Sequence, residues 1–357
     1  MEKVRLTADI DLTGVFSGEN EGLLPLGGTC EYESNGEMRT SRGCFGGEFD
    51  GNGHTISGIR IKSEESGDAV GLFHLGSLRG ADVYIHDLTI ANSTFSGVVC
   101  VGAIAGDAPA GVIIENCTVE DTVTVECPID TQTNYSYGYA GGIVGYIMSA
   151  NNAMFRGCVN RAEVSGNIAG GIVGSVTETT YILECDNYGK VTGNTAAGIA
   201  GYHKGSSYYD GLVMACINYG EVTAQGEYGR ACGIVGRNSS NIRYCVNAGI
   251  VDGGEKCASL AISQDDGIII ACGNIGTIRG KKGFVYVYSC SWELGTYEKM
   301  SEEEMAAVRG YTGYARGMND PEVIPIEVSS AIDGSLVKAL QATNEQDDRC
   351  GYWKQGE

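Results

Sequence analysis

The sequence predicts an all-β fold, a right-handed parallel β-helix solenoid followed by a small helical tail. Three observations predict it. One template, Cys-x-Asn-x-Gly-x-Val-x-Gly or a close variant, then a spacer and Gly-Ile-Val-Gly, recurs from Cys158, Cys185, Cys216, Cys245 and Cys272. Its period is 27 to 31 residues, the range in which a unit buries its apolar face only by stacking on its neighbours. Glycine makes up 55 of the 357 residues and proline only 5, which suits tight turns between short strands and excludes a collagen-like chain. The apolar segments within each copy are also too short for helices and are bounded by Gly or Asn. In the copy at Cys185 they are Tyr181–Cys185, Lys190–Thr192 and Ala197–Ala200. Three short strands per turn would pair with their equivalents one repeat on, at about 4.8 Å. The right hand follows from the rule for parallel crossovers. A leucine-rich horseshoe is the competing solenoid, but no copy shows its Leu-x-x-Leu-x-Leu pattern.

The elements follow in chain order. Residues 4–12 alternate apolar and polar as a half-buried strand does. Residues 13–47 are rich in Gly, Glu and Ser and read as a loop. Residues 49–61 hold two alternating strands around turn residues. Val70–Phe73, Val83–Ile90, Ala103–Gly106 and 113–125 continue the pattern, and an insertion follows near 127–139. The regular copies occupy the rest of a solenoid assigned to residues 1–290. In the tail, 291–357, Ser301-Glu302-Glu303-Glu304 is a capping box that opens a short helix. Residues 335–343 suggest a second helix, and Gly351–Lys354 an apolar anchor. A solenoid end exposes strand edges and core, so this tail is the expected cap.

Stacking repeats turns like residues into columns. Cys158, Cys185, Cys216, Cys245 and Cys272, with Cys117 before them, lie beside apolar residues and are expected inside as thiols. Asn160, Asn187, Asn218, Asn247 and Asn274 are expected to form a corner ladder, because Asn tolerates a left-handed backbone and bonds neighbouring peptide groups. The chain has 14 cysteines but no C-x-x-C spacing, so a metal site is not expected. Cys30 and Cys44 bracket a polar loop outside the repeats and are the best disulfide candidates.

The net charge of −21 argues against nucleic acid as a partner and against capture of polyanions. No run approaches 18 uninterrupted apolar residues, and Met1–Val4 begins no apolar signal core. The opening therefore fits either a cytoplasmic chain or one whose leader has been removed.

The segments Leu6–Leu12, Phe49–Gly58 and Gly71–Phe73 resemble the opening of many large bacterial surface proteins. Gly-Gly-Ile-Val-Gly at 141–145 and 170–174, with its variants at 198–201 and 233–236, resembles the GLUG motif. That motif is found in bacterial adhesin-like proteins and beside immunoglobulin A peptidase domains. The resemblance covers residues 4–280. It implies an extracellular, cell-surface or secreted location, and a chain that is one segment of a larger surface protein. It carries over no peptidase residues, since His-Glu-x-x-His is absent.

The function expected is non-catalytic adhesion, ligand binding or display, with a glycan or a host or cell-surface protein as partner and no cofactor. The alternative is a carbohydrate-active enzyme using Asp265 and Asp266, the only adjacent aspartates inside the repeats. The companion motifs of pectin hydrolases are missing, and adjacent residues on a strand face opposite ways. The basic residues do not cluster as a lyase would need. The four histidines have no nucleophile at useful spacing, and Asp50-Gly51-Asn52-Gly53 lacks the distal ligands of a Ca²⁺ loop. Binding is expected where loops interrupt the template: Tyr135, Tyr137 and Tyr139 in one insertion, Tyr208 and Tyr209 in another. Tyr188 and Tyr219 share one template position, and Tyr146 and Tyr202 another, so they should form rows of aromatics.

Overall fold

The computed structural model describes residues 2–298 except 16–24, 28, 35–36, 43, 66–67, 76–82, 130–137, 148–150, 178, 205–210, 227–228, 254–255, 264–268, 271, 275, 281–284, 287–291 and 294–295. Every regular element among the described residues is a strand. The chain passes through four parallel sheets, of 9, 10, 15 and 6 strands, in the same order again and again. Each strand pairs in parallel with its equivalents one repeat before and one repeat after. Pairing continues to Trp292–Glu293 and Thr296–Glu298, which lie on Gly273–Asn274 and Thr277–Arg279. The tail expected over 291–357 therefore does not begin at 291: these two strands, within it, continue the stack, and residues 299–357 lie outside the described residues.

A regular repeat holds four strands where three were expected. In the copy at Cys185 they are Thr179–Leu183, Asp186–Asn187, Val191–Ala197 and Ala200–Lys204. The extra break has a local cause. Glu184 has φ 55°, and this left-handed residue turns the chain between the first two strands. Asp87, Asn116, Ala215 and Tyr244 occupy the same place with φ from 53° to 55° except Asn116 at 52°, and Gly157 at 60°. The left-handed position is therefore the residue before Cys117, Cys158, Cys185, Cys216 and Cys245, and before Leu88, which holds the same place in the first of these repeats. The template asparagines sit inside the second strand, so backbone tolerance is not what selects them. Gly198-Ile199 is likewise a bend joining two strands and not a strand itself.

Two glycine columns show why the template is so strict. A Cβ on Gly171 would stand 2.1 Å from Gly198 O and 2.4 Å from Asn187 Cγ. Gly142, Gly198 and Gly233 meet Asn160, Asn218 and Asn247 in the same way. The Gly of Gly-Ile-Val-Gly is thus the surface on which the next repeat's asparagine lies. On the other side, a Cβ on Gly189 or Gly220 would stand 2.8 Å from the Nδ2 of Asn160 or Asn187. Glycine brackets the buried amide, so only glycine fits.

The core is continuous from Leu6 to Ile278. Cys117, Cys158, Cys185, Cys216, Cys245 and Cys272 are fully buried in it. Their Sγ atoms donate to backbone carbonyls, as from Cys216 to Ile182 O at 3.5 Å and from Cys245 to Val213 O at 3.6 Å. Burial pushes the thiols of Cys117, Cys185, Cys216 and Cys245 well above their ordinary pKa, and a hydrogen bond to Cys185 does the same first for Cys158. The thiolate is the nucleophile, so these are packing groups.

The five asparagines are fully buried. Nδ2 of each donates to Oδ1 of the next: Asn160 to Asn187, Asn187 to Asn218 and Asn218 to Asn247 at 2.8 Å, and Asn247 to Asn274 at 2.7 Å. The second Nδ2 proton goes to the carbonyl two residues on, as in Asn187 to Gly189 O at 3.0 Å. This satisfies the polar atoms within the stack, as burial requires.

Residues 13–47 are not wholly a loop. Thr29–Ser34 and Glu37–Arg42 pair antiparallel, from Thr29 with Arg42 to Ser34 with Glu37. The overlooked signal is the Asn35-Gly36 dipeptide between them, the pair that favours a two-residue hairpin. The disulfide expected between Cys30 and Cys44 involves a side chain, that of Cys30, outside the described residues.

Candidate functional site

One outward column at the corner after the asparagines holds aromatic side chains. The residue following each Asn or its equivalent is Glu120, Arg161, Tyr188, Tyr219 and Ala248. The asparagine strand ends at that point, and each of these residues bonds back to the repeat before: Tyr188 N to Asn160 O, Tyr219 N to Asn187 O and Ala248 N to Asn218 O, all at 2.7 Å. Register therefore forces the side chains into line. The Tyr188 and Tyr219 rings stack with centroids 4.6 Å apart and planes 8° apart. They are 41% and 44% exposed, so a rigid aromatic pair stands on the surface. The Arg161 guanidinium covers the outer face of Tyr188, 4.6 Å from the ring centroid, and Arg161 Nε lies 3.8 Å from Glu120 Oε2.

Asp186 flanks this pair, from the strand position between Val159 and Ile217. Burial pushes its carboxyl up to about 6, while a backbone hydrogen bond from Ile217 and the charge of Arg161 pull it down. Burial, and then the Asp186 charge, hold the Tyr219 phenol up at about 12. Tyr219 thus presents a neutral hydroxyl near a carboxylate that changes charge within reach of mild acid. Flat rings with polar edges are suited to stacking against a planar or ring-shaped ligand group.

A second cluster could hold a metal ion. Asp50, His86 and Asp87 each offer a ligand atom, all within 4.8 Å of one another. The carboxylates already have partners: Arg5 Nε lies 3.2 Å from Asp50, His86 Nδ1 2.8 Å from Asp87, and Lys3 Nζ 2.5 Å from neighbouring Glu48. Tyr84 stacks on His86 at 4.2 Å and donates to Glu115 at 2.7 Å. The carboxylates are thus already engaged by cationic and hydrogen-bonding side chains. Asp50-Gly51-Asn52-Gly53 is a turn in which Asp50 Oδ1 accepts from Asn52 N at 2.7 Å. His54 Nδ1 lies 3.1 Å from Asp9, which also accepts from Thr55 N at 2.9 Å.

Of the tyrosines expected to bind, Tyr139 stacks on Tyr146 at 4.7 Å and is half-buried. Tyr135, Tyr137, Tyr208 and Tyr209 lie outside the described residues, as do Asp265 and Asp266. Tyr146 and Tyr202 are separated in their column by Ser175, and Arg237 lies over the Tyr202 ring at 5.0 Å. What the sequence hides is Asp186. Nothing in the template marks its burial, which comes from the neighbouring repeats.

No family model matches the chain. It is similar to halomucin of Haloquadratum walsbyi, with 32% identity over 123 residues, 34% of this chain. That stretch is 1% of halomucin's own length. Among solved structures it is similar to a Bacteroides ovatus protein provisionally assigned as an immunoglobulin A1 protease. The identity there is 16% and the TM-score 0.46, over 99% of this chain and 83% of that one.

Proposed function

We propose that the chain is a non-catalytic, extracellular binding module built as a right-handed parallel β-helix. A helical tail beyond residue 298 caps the stack, and the whole is a segment of a larger surface protein with GLUG-like repeats. The surface placement is supported by the resemblance of its opening and its Gly-Ile-Val-Gly segments, and by the stretch shared with halomucin. The observation that carries the binding reading is the exposed Tyr188–Tyr219 stack. Two parallel rings 4.6 Å apart, fixed by strand register, are preorganised for contact and lose little entropy on binding. Aromatics of this kind supply most of the energy of many interfaces. Tyr135, Tyr137, Tyr139, Tyr208 and Tyr209 extend the proposed surface, and a glycan or a host or cell-surface protein is its ligand.

The test is attachment of purified protein to glycan arrays and to cells. Tyr188→Ala with Tyr219→Ala should weaken attachment at least ~10-fold, the effect of losing one interface hot spot, with the melting curve little changed. Unchanged attachment sinks the reading. A second reading, polysaccharide cleavage, draws support from the raised carboxyl of Asp186, a property general acids share. Release of reducing sugar that Asp186→Asn, Asp265→Asn or Asp266→Asn abolishes would establish it in place of the first.

A further inference from the structure

We infer that the free end of the tyrosine stack, the Tyr219 face above Ala248, is a docking place for an arginine side chain presented by a basic protein partner. This rests on the reading of Tyr188 and Tyr219 as a binding surface and names what that surface takes. The column runs Glu120, Arg161, Tyr188, Tyr219, Ala248. One end of the ring pair is closed by the chain's own guanidinium, Arg161 over Tyr188 at 4.6 Å. At the other end the next repeat supplies only the methyl group of Ala248, which is too short to cover a ring.

The molecule shows twice what such a face accepts. Arg161 covers Tyr188, and on a different sheet Arg237 lies 5.0 Å over Tyr202. A guanidinium is planar, stacks on an aromatic face, and sheds its water more readily than an ammonium group. The surroundings suit a cation. Glu221 follows Tyr219 by two residues, and the chain carries a net charge of −21. Arg161 has the matching arrangement, with Glu120 of the preceding repeat 3.8 Å from its Nε. A guest arginine over Tyr219 would extend the stack to cation, ring, ring, cation, in an acidic chain whose first cation already has Glu120 beside it.

The test uses the full chain and two labelled peptides, one with arginines spaced by Gly and Ser and its lysine counterpart, read by fluorescence anisotropy. The arginine peptide should bind at least ~5-fold more tightly than the lysine peptide, the margin of a modest cation–π contact. Tyr219→Leu should erase that margin. Ala248→Arg places a guanidinium where Arg161 stands one end away, and should block the arginine peptide while leaving the melting temperature unchanged. Equal binding of the two peptides, insensitive to both variants, means diffuse charge attraction and overturns the inference. So does absence of binding, or displacement of the peptide by a neutral oligosaccharide, which would assign the face to a glycan. If the tyrosine variants lose cell attachment while no arginine preference appears, the binding surface stands and the arginine assignment falls. If the preference appears but attachment survives those variants, the reverse holds.

Discussion

The early repeats and the later ones build the same corner from different materials. Before residue 150 the corner column is Ile56, Ile90 and Val119. From Asn160 onward it is asparagine. The facing column changes with it. Leu72 and Ala103 precede Gly142, whose carbonyl accepts from Ala103 N at 3.3 Å. A third, inward column goes from Ala108, Ile147 and Val176 to His203 and then Asn238. An aliphatic corner tolerates a side chain opposite and holds by burial. An amide corner requires glycine opposite, because the carboxamide lies flat against the neighbouring backbone. The first arrangement is forgiving in register. The second is not, since a slip of one residue would strand buried amides.

The largest effect should come from putting a Cβ into the later corner. Gly171→Ala must displace Gly198 O or Asn187, both under 2.5 Å from the new atom. The expected loss is about 3 kcal/mol, at the upper end for overpacking against backbone. Ala103→Gly, its counterpart in the early repeats, should cost about 1 kcal/mol or less. Chemical denaturation of both variants measures the contrast, and equal losses would show that the two corners are packed alike.

Breaking the ladder should come next. Asn187→Val removes the acceptor of Asn160 Nδ2 and the donor to Asn218 Oδ1. The atom left without its ladder bond keeps a backbone partner in each case, Ala162 O for Asn160 Nδ2 and Gly220 N for Asn218 Oδ1. The cost should therefore be about 2 kcal/mol, below that of a fully orphaned pair. Val119→Ala in the aliphatic corner loses only packing, about 1 kcal/mol. Hydrogen exchange sharpens the comparison: Asn187→Val should deprotect repeats on both sides, and Val119→Ala only its own.

Much of this architecture is legible in the sequence, for a physical reason. A repeat that stacks in register must place like residues in columns, so Cys185 and Asn187 announce their neighbours by spacing alone. The left-handed place at this corner is not legible, because alongside Asn116 and Gly157 it takes Asp87, Glu184, Ala215 and Tyr244, which have nothing in common as residue types. The partnership of Gly171 with Asn187 is hidden as well, since it joins segments that no local pattern links. At the candidate site the tyrosine column could be read from equivalent positions. Its capping by Arg161 and the burial of Asp186 could not, because both arise from the side chains of adjacent, unlike repeats.

The smallest effect expected is a dependence on pH that two groups of the later repeats, His203 and Asp186, contribute. His203 is fully buried, its Nε2 lies 3.3 Å from Thr180 O, and burial lowers its pKa to about 4. The unfolded chain takes up a proton near pH 6.5 that the folded chain refuses until about 4, so stability falls as pH drops below about 6.5. Between pH 7 and 5.5 the loss should be about 1 kcal/mol. Asp186 acts in the opposite sense. Its folded pKa of about 6 lies above the ordinary carboxylate value, so the cost of burying its charge is relieved as pH falls through 6. The two oppose each other in the native chain, and single variants should separate them. His203→Val, which restores the aliphatic residue of Val176 to that column, should leave a protein stabilised by mild acid. Asp186→Asn should leave one destabilised by it. Melting temperatures between pH 7 and 5.5 read both slopes. Parallel slopes in the two variants would mean that neither group carries the titration, and that the polar inward column of the later repeats is as indifferent to protons as the aliphatic one.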